Sequence, residues 1–330
     1  MEGGAMRALV WQGGDKVEVA DVAPPQRSPG RGLVEPAYVG LCGTDVHICR
    51  GEHPRARPGL IIGHEIVGRL AESAGHLEVG SPVLVNPLLP CGSCVACRRG
   101  RAQVCERLRL IGIDEQGGAA ELLSVPVGQL VPLPSALDLR WAALLEPLSV
   151  AVRALRRGGV RFGDRVHVVG AGPVGLLVAG CARLSGAALV TVSEPVHLRA
   201  QRAASLGFAL GDPSAPDGAA DVVFDCTGHP SVSASVLQWA ASGGAVVIVG
   251  AYPGLVEVDL QEVMFRELTI VGTRVYTSDD VGAAIELIAA ERLDVSPLVT
   301  AVVPLDEGPA AIQRLRACTE LKVLLARTAA

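Results

Sequence analysis

Aromatic residues are scarce in this sequence: four Phe, three Tyr and three Trp, 3% of 330 residues. Its cores must be built from Val, Leu, Ala and Ile, which suits parallel sheets buried under helices. Charge is also sparse. Charged residues make up 19%, the net charge is −5 and no basic block occurs, so nucleic-acid binding has no electrostatic footprint. No apolar stretch reaches the ~18 clean residues that a membrane helix needs. Met1 to Val10 is too short and too polar for a secretory apolar region. Internal repeats and low-complexity tracts are lacking too. These absences point to a cytoplasmic chain with neither nucleic acid nor membrane as partner. Cytoplasmic thiols stay reduced, so the nine cysteines call for a role other than disulfides.

What is present suffices for two domains. Hydrophobic residues make up 49% of a chain too long for one ordinary core. The first half reads as β-rich, with short alternating or β-branched runs separated by Pro and Gly. The runs are Met6–Trp11, Val17–Val22, Gly32–Val39, Val83–Asn86 and Ala120–Val125. Glu146–Arg156 has helical periodicity. From Arg165 strands and helices alternate: strands at Val166–Val169, Leu189–Ser193, Val222–Asp225, Ala245–Val249 and Leu268–Gly272, helices at Gly175–Ser185 and His197–Leu206. This alternation predicts an α/β doubly wound parallel sheet. Asp279–Ala290 and Glu307–Ala317 read as helices, and Val323–Leu325 as a closing strand.

Cys91, Cys94, Cys97 and Cys105 form C-x2-C-x2-C-x7-C. Four thiolates within 15 residues are spaced for a tetrahedral zinc site. Iron–sulfur clusters use other spacings. A shell closed by four cysteines leaves no open position, so this zinc is structural. A second set is spread more widely: Cys42 in Gly40-Leu41-Cys42-Gly43-Thr44-Asp45-Val46-His47, then Gly63-His64-Glu65, then Glu146 before Pro147. Thiolate, imidazole and carboxylate form the mixed set of a catalytic zinc, which keeps a position for water or substrate. Taken singly, each piece is weak, because a lone buried Cys is usually packing and a lone His a satisfied core residue.

Gly170-Ala171-Gly172-Pro173-Val174-Gly175 is G-x-G-x-x-G placed between a strand and a helix, the context that gives the motif meaning. Gly170 allows the turn, Gly172 admits the pyrophosphate to the backbone, and Gly175 permits close helix–strand packing. The helix N-terminus offers its positive end to phosphate. Glu194 ends the next strand, 24 residues after Gly170, where a carboxylate bonds the adenosine ribose and repels a 2′-phosphate. NAD is therefore favoured over NADP, although Arg199 offers a charge that either cofactor could use.

In this order, these pieces resemble the zinc-containing medium-chain dehydrogenase family of alcohol, sorbitol and threonine dehydrogenases, from Met6 to Leu325. Glu146-Pro147 resembles the polyol and threonine branch. The resemblance implies a GroES-like β-barrel catalytic domain of residues 1–147 and 288–330, a Rossmann domain of 148–287, and an active site in the cleft between them. It implies Cys42 and His64 as catalytic zinc ligands, with Glu65 or Glu146 as the third. Asp45 would orient the ligating histidine, and Thr44 and His47 would relay the proton. Cys226, Thr227, Val249 and Thr273, at strand ends, would line the cofactor with Pro173, Val174 and Arg199. A homodimer or homotetramer is implied. The expected reaction moves a hydride between a secondary alcohol (polyol, sugar, cyclitol or amino alcohol) and NAD(P), with two zinc ions per chain, one catalytic and one structural. An aldehyde or ketone reductase would use the same site in reverse. A redox-inactive, zinc-stabilised binding protein would require a damaged site. Compared with relatives, Phe208–Ala220 is short and reads as loop, so the sheet is expected to lose peripheral structure near the adenine. The loop after Gly68 is also abbreviated.

Overall fold

A computed structural model describes residues 4–212 and 214–327. Residues 1–3, 213 and 328–330, which the expectations for the domains and the short segment include, lie outside the described residues. The chain divides into two compact units. One runs to Glu146 and resumes at Ile285; the other is Pro147–Ala284.

The first unit opens with a hairpin of β1 (Met6–Gly13) and β2 (Lys16–Val22). Then come the long β3 (Arg31–Leu41), the short helix α1 (Gly43–Ile48), β4 (Leu60–Ile61) and β5 (Glu65–Leu70). Next are β6 (Pro82–Val85), β7 (Leu88–Leu89), α2 (Val95–Arg98), β8 (Arg109–Leu110), β9 (Leu123–Pro126), β10 (Leu130–Pro132) and α3 (Leu139–Ala142). The strand expected from Ala120 begins only at Leu123, because Ala120 makes a lone bridge to Ala8.

The second unit holds six parallel strands. After α4 (Leu145–Gly158), which crosses the unit boundary, come β11 (Arg165–Val169), α5 (Pro173–Leu184), β12 (Leu189–Ser193), α6 (His197–Ser205) and β13 (Ala209–Leu210). These are followed by β14 (Ala220–Asp225), α7 (Pro230–Ser233), β15 (Ala240–Ile248), α8 (Leu260–Phe265), β16 (Thr269–Gly272) and α9 (Ser278–Ala289), whose last turn already belongs to the first unit. The strand order is β13-β12-β11-β14-β15-β16. The order reverses beside β11, so a ligand crevice belongs at the carboxyl ends of β11 and β14. The core is aliphatic, as composition requires: Val166, Val168, Val223, Val246 and Val247 are buried, with Phe224 among them.

Two expectations are corrected here. Helix α5 starts at Pro173, not Gly175, since proline's fixed φ suits the first helical position. The short segment after Gly207 is not all loop: Ala209 and Leu210 pair with Thr191 and Val192, so the sheet keeps its peripheral strand as a two-residue remnant.

The chain returns to the first unit with β17 (Val299–Pro304), α10 (Gly308–Arg316) and β18 (Lys322–Ala326). Strand β3 lies between β5 and β18. Gly40 faces Glu65 on one side, and Leu41 faces Val323 on the other. This register brings segments from three distant parts of the sequence to one strand end, where Cys42 follows.

Candidate active site

Helix α1 begins directly after β3, so Cys42 is its N-cap residue and Asp45 its third helical position. The buried Asp45 carboxylate accepts the Cys42 N–H (2.8 Å) at one oxygen and the Gly63 N–H (3.1 Å) at the other. One side chain thus ties together the two backbone segments that carry the thiol and the imidazole. Burial pushes the Asp45 carboxyl up from its ordinary range. Asp45 Oδ1 lies 3.7 Å from His64 Nδ1. That exceeds hydrogen-bond length, and the buried Nδ1 has no partner.

The ligand atoms of Cys42, His64 and Glu65 lie within 4.8 Å of one another. Glu146 is buried but stands outside that tight group. Burial alone would lower the His64 pKa, but Asp45, the Cys42 sulfur and Glu146 outweigh it and hold the imidazole well above 6.5. A positive charge is therefore strongly favoured among these groups. A thiolate, an imidazole and a carboxylate converging on one point fit zinc. The backbone makes room for this: a Cβ on Gly40 would lie 2.0 Å from Glu65 Oε2. Thr44 Oγ1 lies 3.9 Å from Cys42 Sγ. His47 is exposed, with Nδ1 2.7 Å from Glu52 Oε2.

The four cysteines of the second cluster also converge, their sulfurs within 4.8 Å of one another. Backbone N–H groups are aimed at these sulfurs: Cys94 donates to Cys91 Sγ (3.4 Å), Cys97 to Cys94 Sγ (3.5 Å), and Cys91 and Arg107 to Cys105 Sγ (both 3.3 Å). The backbone N–H groups of Ser93 and Cys94, with the Arg107 guanidinium 3.5 Å from Cys91 Sγ, bring the Cys91 thiol down to about 5. Burial and the neighbouring sulfurs push Cys97 up to about 12. Four sulfurs converging on one point, with N–H donors aimed at them, fit a divalent cation at their centre.

In the second unit, Gly170 turns the chain at φ +97° after β11. Gly175 passes so close that a Cβ would lie 1.9 Å from Gly170 O. Gly172 is the N-cap of α5, with Pro173 and Val174 in its first turn. Glu194 reaches back to this loop: its carboxylate accepts the Ala171 N–H (2.8 Å) and the Val196 N–H (2.9 Å). Asp225, wholly buried, accepts from Thr227 N (2.9 Å), Thr227 Oγ1 (2.6 Å) and the Tyr252 hydroxyl (2.7 Å). Its carbonyl takes the Val249 N–H. Cys226 lies between these groups, its thiol pushed well up by burial. Thr273 Oγ1 and Arg199 Nε are buried without a hydrogen-bond partner. The close glycine turn and the orphaned Thr273 hydroxyl fit a polar ligand at the crevice.

Sequence reasoning missed four neighbours of these groups: Lys322, Gly40, Tyr252 and Glu52. Tyr252 follows Val249 by three residues without a distinguishing pattern, and Glu52 is an ordinary surface acid by its surroundings.

A zinc-lined site in one unit and a dinucleotide crevice in the other define a metal-dependent, nicotinamide-linked oxidoreductase. Residues 28–135 match the alcohol dehydrogenase GroES-like domain, and residues 173–290 the zinc-binding dehydrogenase domain. A 2-dehydro-3-deoxy-L-galactonate 5-dehydrogenase of Pseudoalteromonas atlantica is 37% identical over 88% of each chain. An L-galactonate-5-dehydrogenase of Escherichia coli is 34% identical over 81% of this chain and 83% of its own. The crystal structure of a Sinorhizobium meliloti protein bound to NADP superposes with a TM-score of 0.91 at 32% identity, covering 98% of this chain and 99% of the other. The chain belongs to the zinc-containing alcohol dehydrogenase family of medium-chain dehydrogenases. It is an enzyme that uses zinc and NAD(P). Among the described residues, no helix is long and apolar enough to cross a membrane.

Proposed function

We propose that this chain oxidises a secondary hydroxyl of a sugar acid or polyol with NAD, at a zinc ion held by Cys42, His64 and one of the carboxylates Glu65 and Glu146. The observation that carries the reading is the convergence of Cys42, His64 and Glu65 on one point beside the Asp45 strut. When bound, the zinc supplies Lewis-acid stabilisation of the substrate oxygen as its proton leaves, and the nicotinamide accepts the hydride. Asp45 holds the two ligand-bearing segments in register. Thr44, two residues after Cys42, takes the hydroxyl proton, and the exposed His47 passes it to water with Glu52 as its partner. The glycine turn, Pro173, Val174 and the N-terminus of α5 receive the pyrophosphate. Cys226, Thr227, Val249 and Thr273 border the rest of the cofactor. Glu194 would meet the adenosine ribose, where its charge would disfavour a 2′-phosphate, and Arg199 would lie over the adenine.

Two of the most similar relatives are named for position 5 of galactonates, and an L-threonine 3-dehydrogenase of Pyrococcus horikoshii is 32% identical over 86% of this chain. Such names support a polar, hydroxylated substrate. The free cysteines fit a reducing cytoplasm. Exposed Leu255, Leu260, Met264, Phe265 and Ile270, around the sheet's edge strand β16, support a homodimer formed by a second copy at that edge.

The test is a substrate panel of L-galactonate, polyols, cyclitols, amino alcohols and simple alcohols, each with NAD and NADP, read by absorbance of the reduced cofactor. The expected result is turnover of a sugar acid or polyol, with NAD preferred. No turnover of any member by protein carrying zinc at both clusters would overturn it.

A further inference from the structure

The first unit holds a cavity of about 770 Å³, within the size range of sites for small organic molecules. Its walls share no residue with either metal cluster or with the glycine turn. Positive charge dominates them. Arg31 opens β3, Arg55 and Arg57 precede β4, and Arg109 opens β8, while Asp114 and Glu115 are the acids of the wall. Four guanidinium groups against two carboxylates leave two positive charges, in a chain whose net charge is −5.

The ion pairs show which charge is spare. Glu115 is shared, with Oε2 3.2 Å from Arg31 Nη2 and Oε1 3.3 Å from Arg109 Nη2. Arg55 Nη1 lies 3.1 Å from Asp114 Oδ2 and donates to the Leu108 carbonyl (2.7 Å). Arg57 donates to the Pro54 and Ala56 carbonyls (3.2 and 2.9 Å) and forms no ion pair among the described residues. Arg31 is held most firmly. Its Nε donates to Ser124 Oγ (3.0 Å) and its Nη2 to the Ser124 carbonyl (2.8 Å) on β9, which leaves Nη1 without a protein partner among the described residues. Like charges gathered in a cleft repel one another, and apolar walls, here the buried Met6, Ile61 and Leu123, concentrate their field. A bound anion relieves that repulsion, and a guanidinium fork takes two oxygens of a carboxylate or phosphate at once. We propose that this cavity is a ligand site apart from the zinc and cofactor sites, for a small oxyanion of two negative charges held by Arg31, Arg57 and Arg109. The charge of the ligand matches the two positive charges that the wall leaves over.

Calorimetric titration of the zinc-loaded protein tests this, with NADH in excess to occupy the glycine turn and ionic strength held constant. The titrants are inorganic phosphate, succinate and, as an uncharged counterpart, succinamide. Phosphate or succinate should bind saturably, one per chain, and raise the melting temperature with concentration, while succinamide should do neither. Tighter binding of phosphate assigns the site to phosphate monoesters, and tighter binding of succinate to dicarboxylates. Arg57→Gln breaks no ion pair of the fold and should weaken binding about 10-fold, as should Arg109→Gln. Arg161→Gln removes one positive charge from an exposed position in the second unit and should leave the affinity unchanged. No saturable binding of either anion, an affinity that Arg57→Gln and Arg109→Gln leave as in wild type, or an equal weakening by Arg161→Gln would overturn the proposal.

Discussion

At the residue scale, the site depends on a side chain that is missing. Gly40 leaves the space that Glu65 fills, and a Cβ there would lie 2.0 Å from Glu65 Oε2. Gly40→Ala must push the carboxylate off Lys322 or bend β3 next to Cys42, at about 1–3 kcal/mol of overpacking. The expected outcome is a lower melting temperature and loss of zinc from the Cys42–His64 site, with the four-cysteine site still loaded. Zinc content of the folded variant checks this; a variant holding both zincs at wild-type stability would count against it. The same residue shows what the sequence could convey. Cys42, His64 and the four cysteines are legible because each belongs to a short pattern of ligand types. Gly40 is not, because a glycine in a strand does not reveal what lies across from it. Lys322 is 257 residues from Glu65, and only the β3–β18 pairing unites them.

At the element scale, β11 carries a polar group through an aliphatic sheet. His167 is buried, with Nδ1 2.7 Å from Thr191 Oγ1 and Nε2 3.0 Å from Ser193 Oγ on β12. Its ring stacks on Trp239 at 3.7 Å between centroids and 6° between planes. Burial brings its pKa down to about 4 from 6.5. Below pH 6.5 the unfolded chain takes up a proton that the folded chain refuses until about pH 4. The stability of the neutral stacked ring is therefore full above pH 6.5 and lost as pH falls toward 4, about 3 kcal/mol across the window. The urea midpoint should fall over this range in wild type and fall less in His167→Leu, measured relative to each protein's own midpoint at pH 7. An equally steep fall in the variant would refute the assignment. Strands β11, β12 and β14 were legible because they are short apolar runs between turn signals. The start of β15 was not: Ala240–Gly244 has no strand character and is held in place by pairing of Ala240 with Ala220. Likewise β13 is two exposed residues recruited by β12.

At the scale of the whole molecule, the parallel sheet ends at β16, where Thr269, Ile270 and Gly272 are exposed. Nearby in sequence, Leu255, Leu260, Met264 and Phe265 expose 106, 72, 62 and 70% of their surface. An unpaired apolar edge is an invitation to pair with another chain, and natural proteins otherwise blunt such edges with charge. The sequence hid this face, because Leu268–Gly272 reads as a buried strand whether its neighbour is the same chain or a second copy. A twofold arrangement lets one edge meet itself, so the same patch serves both partners. Ile270→Lys places a charge on that edge and Phe265→Glu a second beside it, while neither touches the zinc clusters or the glycine turn. The double variant should run as a monomer by light scattering where the wild type runs as a dimer or larger, keep its zinc, and lose melting temperature as the apolar surface returns to water. A wild-type chain that is already monomeric at micromolar concentration, or a variant of unchanged mass, would rule out this edge as the interface and leave its exposed side chains to be explained by some other partner.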